Sequence, residues 1–296
     1  MNGGESAEEG GAAALSKPAH SAPAREPRPA GLKPLWAVTR ARFRMLLRYR
    51  GAALGGFITQ VFFGLMFVMV YRVLYEGDGA AEGAPMELSQ VVTYLWLNQA
   101  LFAMQPWQPD PEVRQMIRTG SVAYELTRPC SLFWLWVARA IAMRSAPTLL
   151  RSVPLVAVAM LFFGMQLPAS PEAAVLYVVS LTAALLLSSA ITVVLNSSLF
   201  WTMSGEGITM LMPAIVMTLS GQNIPLLFYP AWMQPFMAWQ PFRGLLDVPS
   251  RIYTGSLSPD RALLEIAGQF AWCAVILAIG HWMVHRGTRR LVVQGG

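Results

Sequence analysis

Six stretches of this chain run for twenty residues or more without an Asp, Glu, Lys or Arg: 51–71, 88–109, 152–171, 173–205, 207–242 and 266–285. A helix rises about 1.5 Å per residue, so about 20 apolar residues cross the roughly 30 Å hydrocarbon core of a bilayer. A charge at the centre of such a span costs at least about 2.5 kcal/mol, which accounts for the gaps. Pro225, Pro230, Pro235 and Pro241 break up the second half of the longest run, leaving it one span. The spacing predicts an all-α membrane protein with six transmembrane helices near 52–74, 89–107, 148–167, 173–198, 206–226 and 263–284.

Basic residues set the orientation. The termini and even-numbered connections hold 18 of the 22 Lys and Arg residues, among them Arg139, Arg144 and Arg151; Arg72, Arg243, Arg251 and Arg261 fall on the other side. The positive-inside rule then predicts both termini in the cytoplasm. The net charge of +6 and the pI near 9.7 follow from that topology. No Arg/Lys stripe is interleaved with stacking aromatics, so nucleic acid is not an expected partner. Residues 1–33 are rich in Gly, Ala, Ser, Pro and Glu and read as a disordered cytoplasmic tail without the apolar stretch of a signal peptide. Cys130 on the cytoplasmic side and Cys273 inside the last span are not expected to form a disulfide. The last residues, 286–296, read as a second cytoplasmic tail.

Residues 34–50 form an expected amphipathic interfacial helix, with Arg40, Arg44 and Arg48 on one face and Leu35, Phe43 and Leu46 on the other. It serves either as a topology anchor or as a mechanical relay. In the connection 109–129, Asp110 is placed to cap a helix beginning at Pro111, with Glu112 in its first turn and Gly120 as its stop. Val113, Met116 and Ile117 recur at i, i+3, i+4. Such a helix either docks into a groove of a soluble partner or folds back against the membrane.

Ile117-Arg-Thr-Gly120, Tyr124-Glu-Leu126 and Arg128-Pro129 resemble the cytoplasmic signature of one branch of the type-2 ABC transporter permeases. The resemblance continues through Ser220-Gly221, Pro225, Tyr229-Pro230, Trp232, Pro241-Phe242, Pro249 and Ile252-Tyr-Thr-Gly255, and covers residues 35–296. It implies that 109–129 holds a coupling helix for a separate ABC ATPase subunit, with Glu112, Arg114, Met116, Ile117, Arg118, Gly120, Glu125 and Arg128 as coupling residues. It also implies that 227–261 forms outer re-entrant short helices, with Pro225, Tyr229, Trp232 and Phe242 at an outer gate; an interfacial plug is the alternative. A path lined by spans one, two and five, an identical or homologous permease partner and a bacterial inner membrane follow from the same likeness. Phe57, Phe63, Trp96, Phe102 and Met217 would make that path apolar, suiting an amphipathic cargo.

The chain has no Gly-x-x-x-x-Gly-Lys-Ser/Thr loop to cradle phosphates. It is therefore not expected to be an enzyme or to hold a cofactor, and ATP and Mg would belong to the partner ATPase. Gln60, Asn98, Gln99 and Asn196 are either interhelical hydrogen-bond glue or cargo contacts. Ser188, Ser189, Ser197 and Ser198, and Gly51-x-x-x-Gly55, read as packing faces, and Arg72 and Glu76 as an i, i+4 pair. His281 and His285 lack a third ligand, so no metal is expected. An ion-coupled secondary transporter is the alternative function; against it stands the expectation of no mid-span break and no mid-span ionisable group.

Overall fold

The computed structural model describes residues 32–77, 83–128, 130–202 and 205–289. The expected tail over 1–31, the last residues 290–296 and Pro129 lie outside the described residues. Every regular element among the described residues is helical.

Four helices are long and apolar enough to cross a membrane: α2 (Arg50–Glu76), α6 (Leu132–Phe162), α7 (Pro171–Thr202) and α11 (Pro259–Thr288). Two of the six expected spans come out short. Helix α3 (Leu88–Ala100) has 13 residues and α8 (Glu206–Leu219) has 14, about 20 Å of rise each. After α3, the prolines at 106, 109 and 111 remove donors that a continuing helix needs. After α8, Gly221 takes a left-handed conformation (φ 79°) that stops the helix. A purely compositional reading misses such stops because the run stays uncharged through them.

The smaller elements are α1 (Leu32–Leu46), α4 (Pro111–Arg118), α5 (Val122–Leu126), α9 (Gln234–Trp239) and α10 (Asp247–Tyr253). Tight 3-10 turns cover Phe102–Met104, Leu226–Phe228 and Pro241–Leu245. Leu32 and Lys33, read from sequence as tail, already belong to α1. Helix α6 begins 16 residues before its expected span, at Leu132 instead of near 148. Pro147 and Pro154 interrupt its bonding ladder without ending it. Around the first, the Ser145 hydroxyl donates to the Ile141 carbonyl at 2.7 Å and the Thr148 hydroxyl to the Arg144 carbonyl at 2.6 Å, the i to i−4 back-bonding common for Ser and Thr inside helices.

Helix α7 is the buried centre of the bundle, and α11 runs along it. Ser188, Ser189 and Ser197 are buried on α7, as a packing face should be. Gln269 of α11 reaches across to Ser180 of α7 at 2.9 Å and to the Gly244 carbonyl at 2.7 Å. Two expected features are absent. A Cβ at Gly51 or Gly55 would meet nothing within 4 Å, so Gly51-x-x-x-Gly55 is not a packing face among the described residues; on α2 the close approaches there are at Gly56, against Arg151, and Gly64, against Trp96. Arg72 and Glu76 are both exposed and, among the described residues, do not pair with each other.

Helix α2 leaves Leu54, Ile58, Phe62, Met69 and Val73 exposed, one apolar stripe along its outer side. A water-facing helix would not carry it.

Candidate functional site

One end of the bundle gathers α1, α4, α5, the start of α6 and the ends of α7 and α11. Helix α4 forms as its residues dictate. Pro111 opens it, the Asp110 carboxylate accepts from the Glu112 amide at 2.9 Å, and Gly120 (φ 73°) turns the chain away. Its apolar stripe faces inward. Val113 and Ile117 are buried against Phe133, Trp136 and Phe200, with Met116 half-buried beside them. The outward face carries Gln115, Arg118 and Thr119, and α5 adds Tyr124, Leu126 and Arg128, all exposed.

Arginines from two other helices grip the acidic start of α4. Arg42 of α1 meets Glu112 at 2.8 Å and Asp110 at 3.3 Å. Arg139 of α6 meets Glu112 at 2.7 Å, Asp110 at 3.5 Å and Glu125 of α5 at 3.7 Å. Asp110 and Glu125 are buried, whereas Glu112 is half-exposed. The Arg42 hydrogen bond holds the Glu112 carboxyl below its ordinary range, helped by the charges of Arg42 and Arg139 and opposed by partial burial. The amide of Asp110 donates to Asn196 of α7 at 2.8 Å, and Arg114 donates to the Thr209 hydroxyl of α8. Arg144, buried in α6, donates to the carbonyls of Gln105 at 2.6 Å and Gln108 at 3.0 Å, fixing the segment that leads into α4. Helices α4 and α5 are thus tied at once to α1, α6, α7 and α8.

Of the expected coupling residues, Glu112, Arg114 and Glu125 are ties to the bundle, Ile117 is buried, Met116 is half-buried, Gly120 is the helix stop, and Arg118 and Arg128 face outward. Arg42 and Arg139, the basic halves of these ties, were not among the residues singled out from sequence. Arg42 falls at i+7 from Leu35 and i+4 from Val38, on the inward face of α1 that also carries Phe43 and Leu46. An arginine on that apolar stripe was the available signal. His281 packs edge-on against Phe133 with ring centroids 5.0 Å apart, and His285 lies 2.8 Å from Arg289.

At the opposite end, the short helices of 227–261 pack under one another. Pro225 is buried, the Tyr229 hydroxyl donates to the Thr218 carbonyl at 3.1 Å, Trp232 is exposed, and Phe242 packs with Leu245 and Leu246. The four expected gate residues therefore occupy different environments. The backbone freed where α8 stops is satisfied by α3: Asn98 donates to the Gly221 carbonyl at 2.7 Å, and the Tyr94 hydroxyl lies 3.1 Å from both that carbonyl and Asp247. Asn98 also accepts from Ser250 at 2.9 Å, so it is glue.

Between α2, α3, α6 and α8 lies a cleft of about 250 Å³. Phe63, Phe102 and Met217 line it, as expected of a path; Trp96 is fully buried and Phe57 half-buried in the adjoining core. Gln60, Gln99 and Arg151 line it too. Arg151, read from sequence as a cytoplasmic residue, stands 19 residues into α6. The sequence argument against an ion-coupled carrier therefore does not hold, since two helices stop short and an arginine lies inside a span.

A family model described as "ABC-2 family transporter protein" matches residues 61–295. No curated protein matches the chain.

Proposed function

From the premise that this chain belongs to the ABC-2 family of transporter proteins, and so is a multi-pass membrane permease component of an ABC transporter, we propose that it forms an exporter with a second permease, identical or homologous. Separate ATPase subunits, carrying the ATP and Mg, dock on the outward face of α4 and α5. The observation that carries this reading is the geometry of α4. Its apolar stripe and acidic start are used up inside the chain, while Arg118, Tyr124 and Arg128 are left to a partner. A helix bound this firmly to four others transmits a push instead of absorbing it.

ATP-driven closure of the ATPases moves α4, and the motion passes through Arg42 to α1, through Arg139 to α6 and through Arg114 to α8. Helices α2, α3 and α8 line the path, which opens toward the segment 226–258. Six crossings are retained in this reading. The irregular backbone that completes α3 and α8 is tolerable in a bilayer because protein buries and hydrogen-bonds it. Setting aside Arg139, Arg144 and Arg151, which lie inside α6, fifteen basic residues still oppose four. That balance supports cytoplasmic termini, and the bacterial inner membrane is carried by the family likeness alone.

Purified complexes carrying Arg118→Glu test the docking face. The account predicts loss of permease-stimulated ATP hydrolysis with the subunit still folded; unchanged stimulation would remove α4 from the coupling surface.

A further inference from the structure

Arg151 has no ion-pair or hydrogen-bond partner among the described residues, and its Nε is buried without one. Among the described residues the cleft it lines has neither Asp nor Glu. Beside it Gln60 is 3% exposed, and both side-chain polar atoms lack a partner. A buried amide left open and an unpaired charge inside a span are each costly to the folded chain. Two such groups in one cleft indicate a ligand that completes them.

The surroundings define its chemistry. The guanidinium lies flat against the backbone of α2, where a Cβ on Gly56 would come within 2.5 Å of the Arg151 Cζ. Phe67 and Phe102 wall the cleft, and at its rim Phe63 and Met217 are 42% and 38% exposed on the apolar outside of the bundle. About 250 Å³ holds a headgroup and the first carbons of a chain, not a whole lipid. We propose that this cleft binds the anionic head, phosphate or carboxylate, of an amphiphile. Arg151 is the counter-ion, Gln60 supplies a further hydrogen bond, and the apolar tail leaves over Phe63 and Met217. The inference rests on the permease reading of the same cleft and gives it a substrate class. A guanidinium suits this role because its fixed fork of donors matches a planar or tetrahedral oxyanion.

The test measures binding of dodecyl phosphate and of dodecyltrimethylammonium to the full-length chain in dodecyl maltoside, by equilibrium gel filtration with labelled probes. The phosphate is expected to bind at least about tenfold more tightly, and Arg151→Gln to abolish that preference, the scale of one charge-assisted hydrogen bond. Arg151→Lys should keep part of it. Gly56→Ala, which pushes the guanidinium aside, should weaken phosphate binding while leaving the cation unaffected. Because Arg151→Gln removes an unpaired charge from a span, it should not lower the thermal midpoint. Equal binding of the two probes, or a phosphate preference that survives both Arg151→Gln and Gly56→Ala, would overturn the proposal. Repeating the titration in phosphatidylcholine nanodiscs with and without phosphatidylglycerol separates the sources. Competition by the anionic lipid identifies a lipid headgroup, and its absence a soluble anionic amphiphile; either outcome supports the site. The assay contains no ATPase, so failure of the permease reading is registered elsewhere.

Discussion

Glu112 shows how a residue can be identified from sequence and its work still be misjudged. Its place in the first turn of a helix after Asp110-Pro111 was legible, because capping and the helix dipole act within a few residues of chain. Its partners were not: Arg42 lies 70 residues away and Arg139 lies 27 away, and only tertiary packing brings them together. The consequence for pH follows from the sign of its shift. A carboxyl held below its ordinary value of 4.5 contributes stability that is fully present above that value. The contribution is lost as pH falls through the depressed, folded value. The exchange protection of the α4 amides should therefore be higher in wild type than in Glu112→Gln from neutrality down to about pH 4.5, the ordinary value. The two should converge as pH falls on through the depressed folded value, and a gap that persists once Glu112 is protonated in the folded chain would deny it this role. A charge swap probes the same tie. Arg42→Glu should reduce ATPase stimulation, and Glu112→Arg in the same chain should restore part of it even though Arg139 is left opposite a like charge.

At the scale of elements, the long uncharged runs placed α2, α7 and α11 with ends close to those expected, but they missed the first 16 residues of α6 and overran α3 and α8. Hydropathy reports what a segment can be buried in; it does not report where the backbone stops being helical. The stop after α8 depends on Gly221 and on the donors that Asn98 and Tyr94 bring from α3. Asn98→Leu should destabilise the chain by about 1–3 kcal/mol, because it leaves the buried Ser250 hydroxyl without its acceptor and the Gly221 carbonyl with only the longer bond from Tyr94; thermal unfolding in detergent reads this directly. Glycine spacing misled in the same way. A Cβ on Gly51 or Gly55 would meet nothing within 4 Å among the described residues, whereas Gly64 accommodates the fully buried indole of Trp96, 2.4 Å from where a Cβ would sit. Gly64→Ala should lower stability by about 1–3 kcal/mol through overpacking, while Gly55→Ala should stay within about 0.5 kcal/mol of wild type or improve on it. Equal midpoints for the two variants would contradict that contrast.

For the whole molecule, the arrangement is a bundle whose two ends do different work. One end ties α4 and α5 to four helices through Arg42, Arg139, Asn196 and Arg114; the other folds 226–258 into short helices over the stopped end of α8. The family and a short capped helix over Pro111–Arg118 were legible in local motifs. The face that helix turns outward was not, since an apolar stripe looks the same whether it serves the chain or a partner. The central claim is that this outward face receives an ATPase. It is tested most directly by purifying the tagged chain from its native host in mild detergent and quantifying by mass spectrometry what accompanies it. The account predicts an ATP-binding subunit at near-equal stoichiometry that is lost from Arg118→Glu and Tyr124→Ala chains. A chain that is recovered folded and repeatedly without such a subunit would contradict it.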